Sequence, residues 1–275
     1  MDELEEKAEG GNPEIVQSLL RGLKVVRVFN AENSRLTLSE AATLAGIPRA
    51  AARRFLHTLI SVGYIRTDGR YFSLAPRILE LGHSYLSSLS LPQISMPHLE
   101  NLAEQTQNSI ALAVLDSAEV VYVARISARK ITDVGFQLGT RFPAHLTAVG
   151  RAILSGLDDR RLDRFLAKVD LSPRTRFTVG DVDDLAARIR SVRASGYAFI
   201  DEELEMGLRS IAVPLHDFSG RVVAAINMSS RSSMVPFREL LPELLPPLLE
   251  CGRKIDEDLR ILRPTLPITS NYGDE

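Results

Sequence analysis

Residues 37–74 carry the tightest constraints in this chain, because almost every break between elements there is chemically marked. Thr37 and Glu40 form a T-x-x-E capping box, in which each side chain satisfies an N–H group at a helix start. Gly46 closes that helix, and Pro48 opens another that reaches about Gly63. On this second helix Ala52, Phe55, Leu56 and Leu59 fall at i, i+3, i+4 and i+7 and share one face. YIRT and RYFSL then flank Asp68-Gly69, a dipeptide that favours a two-residue hairpin turn. Upstream, Asn12 can cap and Pro13 suits a first helical position. Ile15, Leu19, Leu23 and Val26 follow at helical spacing, which predicts a helix to about Ala31. Three helices and a hairpin in this order make a winged helix-turn-helix.

The face opposite the apolar seam is basic. Ala50, Arg53, Arg54 and His57 share it, Arg49 stands at its start, and Arg66 and Arg70 flank the hairpin turn. From Ala41 to Thr67 there is no carboxylate to repel phosphates. The whole chain of 275 residues has a formal net charge of −2, unevenly spread. Residues 1–14 hold one Lys and six Asp/Glu, residues 15–90 ten Lys/Arg and four Asp/Glu, and the remainder 22 Lys/Arg and 25 Asp/Glu. A basic segment beside a near-neutral body points to a polyanion, nucleic acid before membrane. Arginine suits that task because its planar fork grips guanine O6/N7 or a phosphate, and Ala50 and Ala51 keep the helix slim near a groove floor. Such a face taken alone is as readily a solvated surface; its place between a capping box and a hairpin favours the groove.

The length suggests two domains. A single cysteine, Cys251, excludes a disulfide framework and cysteine-cluster zinc sites and fits a reducing cytoplasm. The acidic start lacks a basic-then-apolar pattern, so it is no signal peptide and reads as a disordered arm, 1–14. After a DNA-binding domain at 15–75, Pro76 opens an amphipathic linker helix ending near Leu91-Pro92, taken as the domain boundary. Residues 92–262 alternate helices and strands. Helices are predicted at about 93–107, from Thr147, at 158–168, 182–195 (closed by Gly196) and 236–262. Strands are predicted at IALAVL, VVYVARI, near 132–138, and at YAFI, SIAVPLHD and VVAAINMSS. The Pro-containing tail, 263–275, reads as flexible. The fold class is α+β.

LTLSEAATLAGIPRAAARRFLHTLISVGYI, YFSLAPRILELGHSYL, GTRFPAHLTAVGRAIL and DEELEMGLRSIAVPLHDFSGRVVAAINMS resemble, in this order, the IclR family of bacterial transcriptional regulators. AAARRFL, VVYVARI and ELEMGLRS resemble the branch that controls aromatic-acid catabolism through the β-ketoadipate pathway. The resemblance spans about residues 15–262. It implies a winged helix-turn-helix, a linker helix, and an effector domain with a curved antiparallel sheet covered by helices. It also implies double-stranded operator DNA as a partner, assembly into homodimers or dimers of dimers, and a small organic acid as effector. In members that bind small keto-acids, the contact positions correspond here to Ala148 and Val149, Ile200, Ser210, and Asn227 with Ser229. Where an Asp, a Cys and a Ser are usual, this chain has Ile200, Ser210 and Asn227. An apolar side chain in place of a carboxylate disfavours a glyoxylate- or pyruvate-like ligand and suits a larger, flatter acid such as protocatechuate or 4-hydroxybenzoate, or a pathway intermediate.

Read from the residues themselves, Thr147 begins a helix whose N–H groups favour a carboxylate. Ser210, Asn227 and Ser229 are polar residues on apolar strands, needing partners if buried; they serve equally well by satisfying backbone groups or facing water. Arg125 is placed to pair with an acid or to lie on the surface, while Arg141 and Arg209 read first as structural. An enzyme fused to a DNA-binding domain would draw on His145, Asp201, Glu202, Glu203 and Ser210. G-x-S-x-G, P-loop, G-x-G-x-x-G and H-E-x-x-H motifs are all absent, and the five histidines lack metal-ligand spacing. No catalytic residue, metal or cofactor is therefore expected. DEELE (201–205) reads as a solvated loop. A remaining alternative is an architectural DNA-binding protein whose large domain only dimerises, which would show no effector-dependent change in operator affinity.

Overall fold

The computed structural model describes residues 16–81, 90–127, 137–231 and 237–262. The chain divides into two compact units, residues 1–85 and 86–275. In the first, helix α1 (Gln17–Arg27) precedes strand β1 (Leu36–Thr37), helices α2 (Leu38–Leu44) and α3 (Arg49–Ser61), and strands β2 (Ile65–Thr67) and β3 (Tyr71–Leu74). Asn12, Pro13, Ile15, the arm 1–14 and the tail 263–275 lie outside the described residues. Helix α1 stops short of Ala31 because Asn30 Oδ1 accepts the N–H groups of Glu32 and Asn33, turning the chain. The capping box forms as expected: Thr37 Oγ1 accepts from Glu40 N, and the Glu40 carboxylate accepts from Thr37 N. Val25, Phe29, Leu36, Ala41, Ala45, Leu56 and Ile65 form the buried core of the unit.

Two details differ from expectation. Leu36–Thr37 pairs with β3, so the sheet has three strands in the order β1-β3-β2 rather than a bare hairpin. The turn is also shifted by one residue. Asp68 pairs with Tyr71, donating its N–H to Tyr71 O, so Gly69-Arg70 are the central pair and Gly69 supplies the positive φ of +96°. The Asp68 carboxylate anchors the turn by accepting from the N–H groups of Arg70 and Tyr71.

The second unit contains α4 (Ser90–Thr106), β4 (Ser109–Asp116), β5 (Glu119–Ile126), β6 (Arg141–Pro143), a 3-10 turn (Ala144–Leu146), α5 (Ala148–Leu154), α6 (Asp159–Leu166), α7 (Val182–Ser195), β7 (Ala198–Asp201), β8 (Leu208–His216), β9 (Val222–Arg231) and α8 (Phe237–Leu262). The expected boundary at Leu91-Pro92 falls inside α4, where Leu91 is a buried core residue. Of the linker helix, Pro76–Ile78 is a 3-10 turn and helix begins at 79–81; residues 82–89 lie outside the described set. So does most of the strand expected near 132–138, while β6 was not anticipated.

Among the described residues, six antiparallel strands pair in the order β6-β5-β4-β9-β8-β7. Register shifts at Leu112/Ala113 and Leu215/His216 mark bulges, which bend strands. Helices cover both faces of the sheet, and alternation assigns each side chain to one of them. Ile110, Leu112, Val114, Ile211, Val213, Ile226 and Met228 pack with α4 and α8. Ala111, Ala113, Ala198, Ala212 and Ala225 pack with α5, α6 and α7. The alanine-rich face lets α5 lie close to the sheet, and every residue of that seven-residue helix is buried. Its approach to the preceding turn is so tight that a Cβ on Gly150 would stand 2.0 Å from Ala144 O.

The buried set includes Arg151. Its Nε donates to His145 O at 2.8 Å, and its two terminal nitrogens grip Glu203 at 3.0 and 2.5 Å, both side chains being under 5% exposed. Burial lowers the Arg151 pKa, and the adjacent Glu203 carboxylate opposes that shift. DEELE is therefore not a solvated loop. Thr175 and Thr178 hydroxyls donate to the carbonyls of Glu202 and Glu203, and Arg209 holds Asp201 and Glu202. Arg141 pairs likewise with Asp116 and Glu119. Loss of one partner leaves an unpaired charge in the interior, so Glu203→Ala should destabilise the chain by about 3–5 kcal/mol in urea denaturation. The double variant Arg151→Met/Glu203→Leu should recover most of that loss; a Glu203→Ala variant as stable as the parent would remove the bridge from the account.

Candidate nucleic-acid interface and effector site

In the first unit the two faces of α3 separate as its periodicity requires. Ala52 and Leu56 are fully buried, Phe55 and Leu59 half-buried, and Arg49, Ala50, Arg53, Arg54 and His57 exposed; Ala51 is half-buried at the border. Arg66 and Arg70 are exposed on the wing. Among the described residues, no ion pair engages Arg49, Arg53, Arg54, Arg66 or Arg70. Arg66 Nε donates to Ser73 Oγ at 3.2 Å, which extends it across β3.

Arg35 joins this group, and no spacing rule could have found it, because it reaches the wing only through the β1–β3 pairing. Its guanidinium lies 5.0 Å from the centre of the Tyr71 ring, with Arg70 at 5.2 Å. It also pairs with Asp68 at 2.5 Å, covering the one carboxylate of the wing. Backbone N–H groups of Tyr71 and Arg70, and then Arg35, hold the Asp68 pKa below the ordinary aspartate value. Arg35 and Arg66 line a cleft of about 660 Å³ with Phe29, Asn30 and Tyr71.

In the second unit the register brings most of the expected ligand-contact residues onto the α5 face. Arg125 pairs with Ala111, Ala111 with Asn227, and Asn227 with Ala212. One row along, Ser109 pairs with Ser229, Ser229 with Ser210, and Ser210 with Ile200. Asn227 Nδ2 donates to Ser210 Oγ at 2.9 Å and to Ser229 Oγ at 2.7 Å, and Ser210 Oγ donates to Met228 O at 3.1 Å. These three polar residues thus form one connected cluster rather than facing water. Helix α5 packs over β4, β8 and β9. Thr147 caps it, accepting from Gly150 N at 3.0 Å, and the side chains of Ala148 and Val149 are buried in the core beneath it. Being first in the helix, the N–H groups of Ala148 and Val149 have no intrahelical acceptor. Arg125 is half-buried at the far end of the row.

His145 lies in the 3-10 turn ahead of α5, 5% exposed, its Nε2 without a hydrogen-bond partner among the described residues. Burial, and then the nearby Arg151, push its pKa down to about 4, which keeps the imidazole neutral. Among the described residues no group of three or more His, Cys, Asp or Glu is placed to hold a metal ion, and no helix is long and apolar enough to cross a membrane.

Residues 18–69 match the family described as IclR helix-turn-helix domain, and residues 83–257 that described as Bacterial transcriptional regulator IclR C-terminal. The chain is 41% identical to the Pca regulon regulatory protein of Pseudomonas putida, over 90% of this chain and 86% of that protein. It is 36% identical to the p-hydroxybenzoate hydroxylase transcriptional activator of Acinetobacter baylyi, over 87% and 90% respectively. Among solved structures, an IclR homolog from Microbacterium hydrocarbonoxydans complexed with 4-hydroxybenzoate has a TM-score of 0.78 and 25% identity, covering 89% of this chain and 100% of that one.

Neutral, buried His145 ties stability to pH. Between an ordinary histidine value near 6.5 and its folded value of about 4, the unfolded chain takes up a proton that the folded chain refuses. Stability should fall through that window as pH drops, with His145 contributing on the order of 2–3 kcal/mol by its lower end. Comparing urea midpoints of the parent and His145→Gln at pH 7, 5.5 and 4.5 isolates this part. Parallel decline of the two proteins would remove His145 as the cause.

Proposed function

The chain belongs to the IclR family of bacterial transcriptional regulators, and on that premise we propose that it controls a catabolic operon for aromatic acids. In this reading its winged helix-turn-helix binds double-stranded operator DNA, and a small aromatic acid in the C-terminal unit sets the strength of binding. The observation that carries the DNA half is that the charge of α3 is uncompensated among the described residues. On α7, by contrast, Arg188, Arg190 and Arg193 are matched by Asp184, Asp163 and Asp159. Basic side chains that serve solubility alone are readily paired in this way; those of α3 are left for an anion from outside.

Arg49, Arg53, Arg54 and His57 would meet base edges and phosphates, with Ala50 and Ala51 giving the helix room against the groove floor. Arg66, Arg70 and Arg35 would hold the flanking backbone from the wing. In the other unit, the N–H groups of Ala148 and Val149 beyond Thr147, together with Arg125, would receive the carboxylate. Ser210, Asn227 and Ser229 would meet polar substituents, and Ile200 would pack against the ring. The A. baylyi relative named for p-hydroxybenzoate hydroxylase and the homolog holding 4-hydroxybenzoate favour that ligand or the related protocatechuate. Val16, Leu19 and Leu23 are 61, 63 and 48% exposed on one side of α1, an apolar stripe that a second copy of the chain would cover in a homodimer or dimer of dimers.

Arg53→Ala and Arg54→Ala should each weaken operator binding by about 1–3 kcal/mol where the residue reads a base. Log affinity should also fall steeply with log salt, because several phosphates must shed counterions. Anisotropy titrations showing parental affinity for both variants, or a flat salt dependence, would remove the recognition helix from the interface. Effector and DNA must also alter each other's affinity by the same factor. Calorimetry with protocatechuate, 4-hydroxybenzoate, β-ketoadipate, pyruvate and glyoxylate, with and without operator, tests this; no difference with any acid would leave a DNA-binding protein without an effector.

A further inference from the structure

We propose that Asn227 makes the effector site selective for hydroxylated acids, its side-chain carbonyl oxygen accepting a hydrogen bond from a ring hydroxyl of the ligand. The inference rests on the aromatic-acid reading above and deepens it. Asn227 is 2% exposed, and its Oδ1 is buried with no hydrogen-bond partner among the described residues. The other end of the same amide is fully used, both N–H bonds of Nδ2 going to Ser210 Oγ and Ser229 Oγ. That arrangement fixes which way the amide points. Reversing it would leave two N–H protons unmet instead of one oxygen, and Ser210 has already committed its own proton to Met228 O.

The Asn227 Oδ1 is therefore a buried acceptor suited to a donor. An unmet buried carbonyl is costly, whereas a ligand that brings an O–H to it recovers that cost on binding. A carboxylate or a keto oxygen has no proton to offer and would meet the amide oxygen with repulsion. The two residues paired with Asn227 in the neighbouring strands are Ala111 and Ala212, the smallest side chains able to keep strand geometry, so nothing of bulk flanks the amide along its row. Arg125 stands next in that row beyond Ala111, two strands from Asn227, a backbone separation of about 10 Å. A positive group at one end and a bare acceptor at the other fit a molecule with an acid and a hydroxyl on opposite sides of a flat ring.

The test is calorimetry on the full chain with benzoate, 2-, 3- and 4-hydroxybenzoate and the matching methoxybenzoates. At least one hydroxybenzoate should bind about tenfold or more tighter than benzoate. Its methoxy counterpart, which keeps the oxygen and lacks the proton, should fall back to the benzoate level or below. In Asn227→Leu, similar in size and without an acceptor, benzoate and the preferred hydroxybenzoate should converge to within about twofold. Equal binding of benzoate and every hydroxybenzoate by the parent protein overturns the assignment while leaving the aromatic-acid reading intact, and it does so without any variant. A preference undiminished in folded Asn227→Leu moves the hydroxyl to another residue and overturns it as well. Failure of every aromatic acid to bind, with a keto-acid binding instead, overturns both readings together.

Discussion

The bidentate bridge between Arg151 and Glu203 holds the C-terminal unit in its present form. It joins α5 to the loop between β7 and β8, two segments fifty residues apart in the chain. Thr147 lies one turn before Arg151, and Ile200 lies three residues before Glu203, so the bridge spans the two elements that carry candidate ligand contacts. A third bond from Arg151 to His145 O sets the turn leading into α5. Burying such a pair gains little net stability over well-packed apolar residues, because both charges lose their hydration. Its value lies in direction. A guanidinium fork and a carboxylate meet in one relative orientation, whereas leucine and alanine tolerate many.

The rest of the unit is built to permit that close approach. Strand alternation places large aliphatic side chains against α4 and α8 and alanines against α5, so the two faces have different depths. Gly150 follows from the same constraint, since any side chain there would collide with Ala144 O. The close packing of the helix is thus a consequence of one choice of small residues.

Much of this was legible in the sequence, and the reason is local chemistry. The capping box at Thr37, the helix 182–195 with its closing Gly196, and the split faces of α3 depend on residues a few positions apart, and all three formed as read. What escaped depends on partners distant in the chain. Strand β1 exists only because Leu36 and Thr37 meet Phe72 and Tyr71. Glu203 reads as a surface residue beside four other polar or exposed-looking neighbours until Arg151 arrives from another element. The hydroxyl and amide groups of Ser210, Asn227 and Ser229 were recognisable as polar residues on apolar strands, yet only the sheet register shows that they touch. Arg35 is invisible for the same reason.

Two opposite treatments of charge result, and each suits its partner. In the C-terminal unit Arg151 is enclosed and paired, so its geometry is fixed before any ligand arrives. A small effector offers few contacts, and ordering side chains on binding would consume much of their free energy; prior fixation avoids that loss. The arginines of α3 are exposed, unpaired and free to change rotamer, which costs conformational entropy when DNA is bound. A duplex can bear that cost because every phosphate neutralised also releases counterions, a gain that no monoanion provides. Exchanging the two arrangements would serve neither. Paired arginines would have to break their bridges before gripping a phosphate, and loose ones would not hold α5 in one orientation against the loop after β7.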